Sequence, residues 1–313
     1  MIAENIESLN RFANAARGDF VNAESSDRFL SHPCLPCNPC PISSTIFVWD
    51  TDDTEKHILK AEKALPDDIS KLSGQSENVT MRGLFITGTD TSVGKTYVSC
   101  AIVRDLRAAG HRVGAYKPVC SGVRIDANGH SVWDDVEELR QALCGEFSDD
   151  QISPQRFAAP LAPPIAARYE GRSVDVAELQ RGFDWWHSQC DLLIAEGAGG
   201  LLCPLTDDES MADLAARFRL PLLIVARCGL GTINHTLLTI EVARTRGLRV
   251  AGVLMNEAIP VRDDDISVST NAAEIALRGG VSILGIRRYQ QPGWVSRFGE
   301  PIQLDWSALA EED

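Results

Sequence analysis

No stretch of the 313-residue chain approaches the roughly 18 uninterrupted apolar residues needed to cross a bilayer, which excludes a helical membrane span. The first twenty residues lack the basic start and apolar centre of an export signal, so the expectation is a cytoplasmic protein. Positive charge is also short. Thirty Lys and Arg stand against 44 Asp and Glu, a formal balance of -14, and a field of that sign repels nucleic acid and anionic membrane surfaces. Neither partner is expected, although local positive sites remain compatible with the balance. Residues 1–80 lack any sustained period of either kind. They hold polar clusters, a Pro/Cys stretch and a short helical pattern near Thr54 to Leu65, and read as a largely unstructured segment without a core of its own.

What is present is ordinary globular composition, 44% hydrophobic and 24% charged, enough for one large α/β domain or two small ones. Six of the nine cysteines (Cys100, Cys120, Cys144, Cys190, Cys203 and Cys228) are scattered through patterned segments and read as small core hydrophobes. The other three lie in the run from His32 to Cys40. Two short cysteine spacings beside a histidine are the beginning of a zinc site, but its second half is missing and four prolines stiffen residues 33–41. That run therefore reads as unstructured chain, not a metal site.

At Met81 the character changes. Leu84 to Thr87 is a short apolar run ending in Gly88, followed by a Gly/Thr loop and an amphipathic run from Thr96 to Ala109 that Gly110 closes. Further apolar strand candidates occupy Arg112 to Tyr116, Leu192 to Ala195, Leu222 to Ala226, Val250 to Leu254 and Ser282 to Ile286. Helical patterns fall near Val136 to Leu143, Val176 to Trp186, Met211 to Phe218, Ile233 to Thr245 and Asn271 to Leu277. Strands apolar at nearly every position, alternating with helices, imply a mostly parallel, doubly wound sheet covered on both faces. Its ligands bind beyond the carboxyl ends of the strands. The expected organisation is an extension at 1–80, a phosphate-loop domain at 81–290 and a tail at 291–313, with Met81 a candidate translational start.

Gly88-Thr89-Asp90-Thr91-Ser92-Val93-Gly94-Lys95-Thr96 follows a strand and opens a helix, the setting that distinguishes a phosphate loop from a chance glycine pair. Loop and helix N–H groups offer partial positive charge to phosphates, Lys95 adds a full charge, and the Thr96 hydroxyl can ligate Mg²⁺. Five residues separate Gly88 from Gly94, one more than the common pattern. Lys117 and Ser121 follow the second strand and so share the loop's edge of the sheet. Glu196 and three glycines (Gly197, Gly199, Gly200) follow another strand, where the carboxylate could hold Mg²⁺ while the backbone approaches a ligand. Leu230 to His235 opens a helix whose free N–H groups suit a carboxylate or phosphate. Taken alone, Lys117, Glu196, Asn234 and His235 could equally be solvated or helix-capping residues.

Together these segments resemble the dethiobiotin synthetases. The matching pieces are GTDTSVGKT at Gly88 to Thr96, YKPVCSG at Tyr116 to Gly122, EGAGG at Glu196 to Gly200, LGTINH at Leu230 to His235 and AGVLMNE at Ala251 to Glu257, in the family's order. The resemblance implies an ATP- and Mg²⁺-dependent ligase that joins CO₂ to 7,8-diaminononanoate and closes a cyclic urea through a carbamic-phosphoric anhydride. It implies Lys95 and Lys117 as catalytic cations. ATP contacts fall on Gly88, Asp90, Thr91, Ser92, Val93, Gly94, Lys95, Thr96, Glu196, Gly197, Ala198, Gly199 and Asn256, the last recognising adenine. Substrate contacts fall on Thr91, Lys117, Ser121, Gly197, Gly199 and Asn234, and Mg²⁺ ligands on Thr96, Asp135 and Glu196. Asp134 and Asp135 both open a helix, and Asp135 is preferred because Val136 and Leu139 follow it at +1 and +4 as in the family. The resemblance further implies a homodimer in which Asn234 reaches the neighbouring subunit's substrate carboxylate.

Two departures stand out. Ser92 occupies a position usually acidic in the family, and Gly285-Ile286-Arg287-Arg288 lacks the proline of the family's last turn, which leaves the adenine side without further assigned contacts. A nucleotide-switch ATPase of the partitioning or metal-chaperone type is the rival reading. Such proteins carry a lysine just after the loop's first glycine, where this chain has Thr89. An amidoligase with a glutamine-hydrolysing domain is not expected, because only about 25 residues of this sequence follow Ile286.

Overall fold

The computed structural model describes residues 81–261 and 265–311. The expected extension at 1–80, its helical pattern and the His32 to Cys40 run all lie outside the described residues.

Strand β1 (Gly83–Gly88) is buried at every position. Its side chains alternate between two cores, Leu84 and Ile86 facing one and Phe85 the other, as the two-residue strand period requires. Both faces are covered, and the one polar side chain of the run, Thr87, is buried as well. Helix α1 (Lys95–Ala108) buries Val98, Ile102 and Leu106 at four-residue spacing. It stops where Gly110 takes φ 89°, a left-handed backbone that suits glycine at a helix end.

Strand β2 (Val113–Tyr116) is followed by an excursion comprising β3 (Val119–Ser121), β4 (Arg124–Ile125), β5 (Ser131–Val132), α2 (Asp134–Ala142), α3 (Asp149–Ile152) and β6 (Gln155–Phe157). Within it β3 pairs with β6 and β4 with β5. The chain continues through α4 (Pro163–Tyr169), α5 (Val176–Trp186), β7 (Leu192–Gly200), α6 (Met211–Phe218), β8 (Leu222–Arg227) and α7 (Thr232–Thr245). Then come β9 (Val250–Asn256), α8 (Ser267–Gly279), β10 (Ile283–Arg287), β11 (Trp294–Val295), β12 (Pro301–Ile302) and α9 (Trp306–Leu309).

The main sheet runs in the order β12-β11-β10-β9-β8-β1-β7-β2, parallel from β10 to β2 and antiparallel at β11 and β12. Helices α1 and α2 cover one face, and α5 to α8 the other. The chain builds β2 and β7 on one side of β1 and then β8, β9 and β10 on the other, so β1 sits at the topological switch point, where doubly wound sheets bind ligands.

All six expected strands are present, and β7 runs on to Gly200, which puts Glu196 inside a strand. Helix α8 begins at Ser267 instead of near Asn271. Residues 291–311, which showed no pattern in the sequence, supply two edge strands and a helix. Trp294 and Trp306 are buried there, stand edge to face at 5.2 Å, and both donate indole N–H groups to Asp105 Oδ2 of α1, at 2.8 and 3.1 Å. Trp186 is fully buried and packs on Phe147 together with Trp185, a purely structural role. Cys144 departs from the core reading of the six cysteines. It is exposed, in a left-handed turn (φ 56°) where α2 has ended. Among the described residues no helix is long and apolar enough to cross a membrane.

Candidate active site

The carboxyl ends of β1, β2 and β7 open onto a cleft of about 530 Å³. Its floor is the loop after β1. Val93 is completely buried and anchors that loop, while Gly94 takes φ 89°, and a Cβ there would meet Asn256 Nδ2 at 2.1 Å. Glycine is also required at Gly88, where a Cβ would stand 2.7 Å from Asp90 O and 3.0 Å from Lys95 Nζ. Ser92 adopts φ 58°, a left-handed conformation uncommon for a residue with a side chain. Lys95 Nζ donates to Asp90 O at 3.1 Å. Burial, and then the neighbouring charge of Lys117, hold the Lys95 pKa below the ordinary lysine value.

The other charges converge on one point. Lys117 Nζ donates to Asp135 Oδ2 at 2.5 Å and to Glu196 Oε1 at 2.7 Å. Thr96 Oγ1 lies 2.9 Å from Asp135 Oδ1 and 2.8 Å from Glu196 Oε1, and Ser99 Oγ donates to Glu196 Oε2 at 2.7 Å. Glu196 is 0% exposed and Lys117 is 3% exposed, while the Asp135 side chain is 42% exposed, so the cluster is buried at Lys117 and Glu196 and opens to the cleft at Asp135. Burial opposes the charge on Lys117, but Glu196 and Asp135 outweigh it and raise the pKa above that of a free lysine. Burial likewise works against the Asp135 carboxylate, and Lys117 reverses the effect, leaving its pKa below the usual range. Asp134 lies outside the cluster and pairs with Arg124 at 2.8 Å, so of the two aspartates it is Asp135 that joins the site.

Not every expected residue joins. The Ser121 hydroxyl borders the cleft but donates to Leu161 O at 2.7 Å. Gly197 is buried under the Phe85 ring, where a Cβ would come within 3.1 Å of Cε1, and Ala198 and Gly199 line the cleft in its stead. Thr91 is exposed at the mouth. Both carboxylate oxygens of Asp90 are occupied, Oδ1 by Thr91 N at 2.7 Å and Oδ2 by Arg227 Nη2 at 2.9 Å, so its side chain shapes the loop. Asn256 is buried at the end of β9 with Nδ2 donating to Val93 O at 2.9 Å, and only its Oδ1 has no hydrogen-bond partner. Asn234 is exposed on the first turn of α7 and does not line the cleft.

Ser99 and Arg227 were not singled out in the sequence. Ser99 could have been found, because it stands three residues after Thr96 and so on the same helix face. Arg227 carries no local signal.

The donors of Thr96, Asp135 and Glu196 are all oxygen, the set a hard divalent cation takes. Two of the three groups are carboxylates that already converge on a cation, the Lys117 ammonium, and in this respect the residues fit Mg²⁺.

A protein-family model described as an AAA domain matches residues 82–290. The ATP-dependent dethiobiotin synthetase BioD of Anaeromyxobacter dehalogenans (strain 2CP-C) is 50% identical over 196 residues, covering 63% of this chain and 85% of that protein. That of Bacillus subtilis (strain 168) is 38% identical over 206 residues, covering 66% of this chain and 87% of the relative. That of Caulobacter vibrioides (strain NA1000 / CB15N) is 41% identical over 187 residues, covering 59% and 84%.

Proposed function

We propose, from the premise that the chain belongs to the family of ATP-dependent dethiobiotin synthetases, how its own residues carry that ligase reaction. The reaction joins CO₂ to one amine of 7,8-diaminononanoate as a carbamate. A carbamate oxygen takes the γ-phosphoryl group of ATP, and the second amine attacks the carbonyl carbon, expelling phosphate with the bonding electron pair and closing the ureido ring. Phosphoryl transfer asks for positioning and charge stabilisation more than for covalent participation by the protein.

The observation that carries this reading is Lys117. An ammonium has three N–H groups, and two of them are given to Asp135 and Glu196, which fixes the direction of the third. We assign that third N–H to the carbamate and the transferring phosphoryl group, where charge grows in the transition state. Lys95 spends one N–H on Asp90 O and keeps two for the β- and γ-phosphates. Mg²⁺ held by Thr96, Asp135 and Glu196 would neutralise phosphate oxygens as a Lewis acid. Ser99 holds Glu196 in orientation through Oε2. Thr91, Ser121 and the Ala198 and Gly199 backbone border the substrate's reacting end. The free Oδ1 of Asn256 is the acceptor for the adenine amino group. Nothing favours the nucleotide-switch alternative, since Thr89 stands where such proteins carry lysine.

Cytoplasmic location and a homodimer belong to the same proposal, with the exposed Asn234 serving the partner's substrate carboxylate. The test uses one preparation. ADP should appear only when diaminononanoate, bicarbonate, Mg²⁺ and ATP are all present, and the active species should sediment as a dimer. ADP release without the diamine would overturn the assignment, and an active monomer would remove the role of Asn234.

A further inference from the structure

We propose that Arg227 is a positioning residue whose task is to neutralise Asp90, so that a carboxylate can shape the phosphate loop without repelling the triphosphate. The inference rests on the reading of Gly88 to Thr96 as the nucleotide cradle.

A loop that collects N–H groups and an ammonium for phosphates gains nothing from a negative charge among them. Asp90 is nevertheless there, and two of its contacts explain why. Its Oδ1 accepts Thr91 N at 2.7 Å, building the turn, and its carbonyl accepts Lys95 Nζ at 3.1 Å, holding the lysine over the loop. The cost is an anionic oxygen, Oδ2, one residue from the cleft mouth at Thr91.

Arg227 meets that oxygen from 137 residues away, Nη2 to Oδ2 at 2.9 Å. The sheet delivers it. β8 lies beside β1 in parallel, with Gly88 level with Val225 and Thr89 N donating to Val225 O at 3.0 Å, so Arg227, two residues further on, ends its strand alongside the loop. The side chains of Arg227 and Asp90 are 45% and 51% exposed, and a pair that wet contributes little to folding. Its effect falls instead on the polyanion bound next to it, which meets a compensated carboxylate in place of a bare one.

Charge compensation makes a prediction that a mechanical tether or a direct arginine-phosphate contact does not. The test measures KM for ATP and kcat in the full chain, together with ATP titration without the diamine, for Arg227→Gln, Asp90→Asn and the double variant. Asparagine keeps an oxygen for Thr91 N, so the turn survives the substitution. Arg227→Gln should raise KM and weaken ATP binding by about tenfold with kcat changed less than about twofold, and the deficit should shrink as salt screens the bare carboxylate. The double variant should recover to within about threefold of the parent protein, because the charge that needed compensation is gone. An Arg227→Gln protein with unchanged ATP affinity overturns the proposal, as does a double variant as weak as Arg227→Gln. Absence of diamine-dependent ADP release in the parent protein sinks the site reading itself. An active parent with no recovery in the double variant sinks only the role given to Arg227.

Discussion

Helix α1 is anchored at both ends by polar contacts of opposite kinds. At its first turn Thr96 and Ser99 feed a cluster of buried Lys117 and Glu196 with half-exposed Asp135. Towards its last turn Asp105 receives the N–H groups of two buried indoles that also pack on each other. Burying charges costs more than their attraction commonly returns, whereas large aromatic side chains with satisfied N–H groups stabilise through area and hydrogen bonds together. The Asp105 end is what packing alone would select. The Lys117 end is what the proposed use by a ligand would account for.

The largest effect should come from attacking the charged end. Lys117→Gln removes the cation between two carboxylates and should lower turnover by about a thousandfold while leaving nucleotide binding largely intact, measured by single-turnover ADP formation against ATP titration. Near-normal turnover in that variant would erase the contrast. At the other end, Asp105→Ala leaves two buried indole N–H groups unpaired and should cost about 2 kcal/mol of stability by urea denaturation, with kcat unchanged at a permissive temperature. A loss of turnover out of proportion to the loss of folding would mean that the two ends are not separable. The smallest effect is in pH. The proposed phosphate contact requires Lys95 to be charged, and its pKa is depressed while that of Lys117 is raised. ATP affinity should therefore fall as pH rises through the Lys95 pKa, below the ordinary lysine range, with Lys117 still charged. Lys95→Gln should abolish that alkaline limb.

Much of the charged end is legible in the sequence. An apolar run ending in glycine, then Gly-Lys-Thr opening an amphipathic helix, carries its meaning locally, and the apolar positions after Asp135 distinguish it from Asp134. The contacts that escaped are those made by the sheet. Nothing near Arg227 announces that β8 will lie beside β1, and the indole clasp joins Asp105 to residues 189 and 201 positions later. Gly197 reads like its neighbouring glycines, yet it belongs to the Phe85 core because β7 continues past the point where its apolar run ends. Asn256 presents an amide to any reader of the sequence, but half of that amide is spent holding Val93 O. The short pairings of β3 with β6 and β4 with β5 are too brief to show a period.

The sheet order also works as a ruler. Lys117 follows β2 and Asn256 ends β9, and from β2 through β7, β1 and β8 to β9 there are four steps between neighbouring strands. At about 4.8 Å a step this sets the two main-chain positions roughly 19 Å apart. Both side chains nevertheless lean inward upon the loop between them, Asn256 to Val93 O and Lys117 through Glu196 to Thr96, so one short turn of chain gathers contacts from strands that never touch.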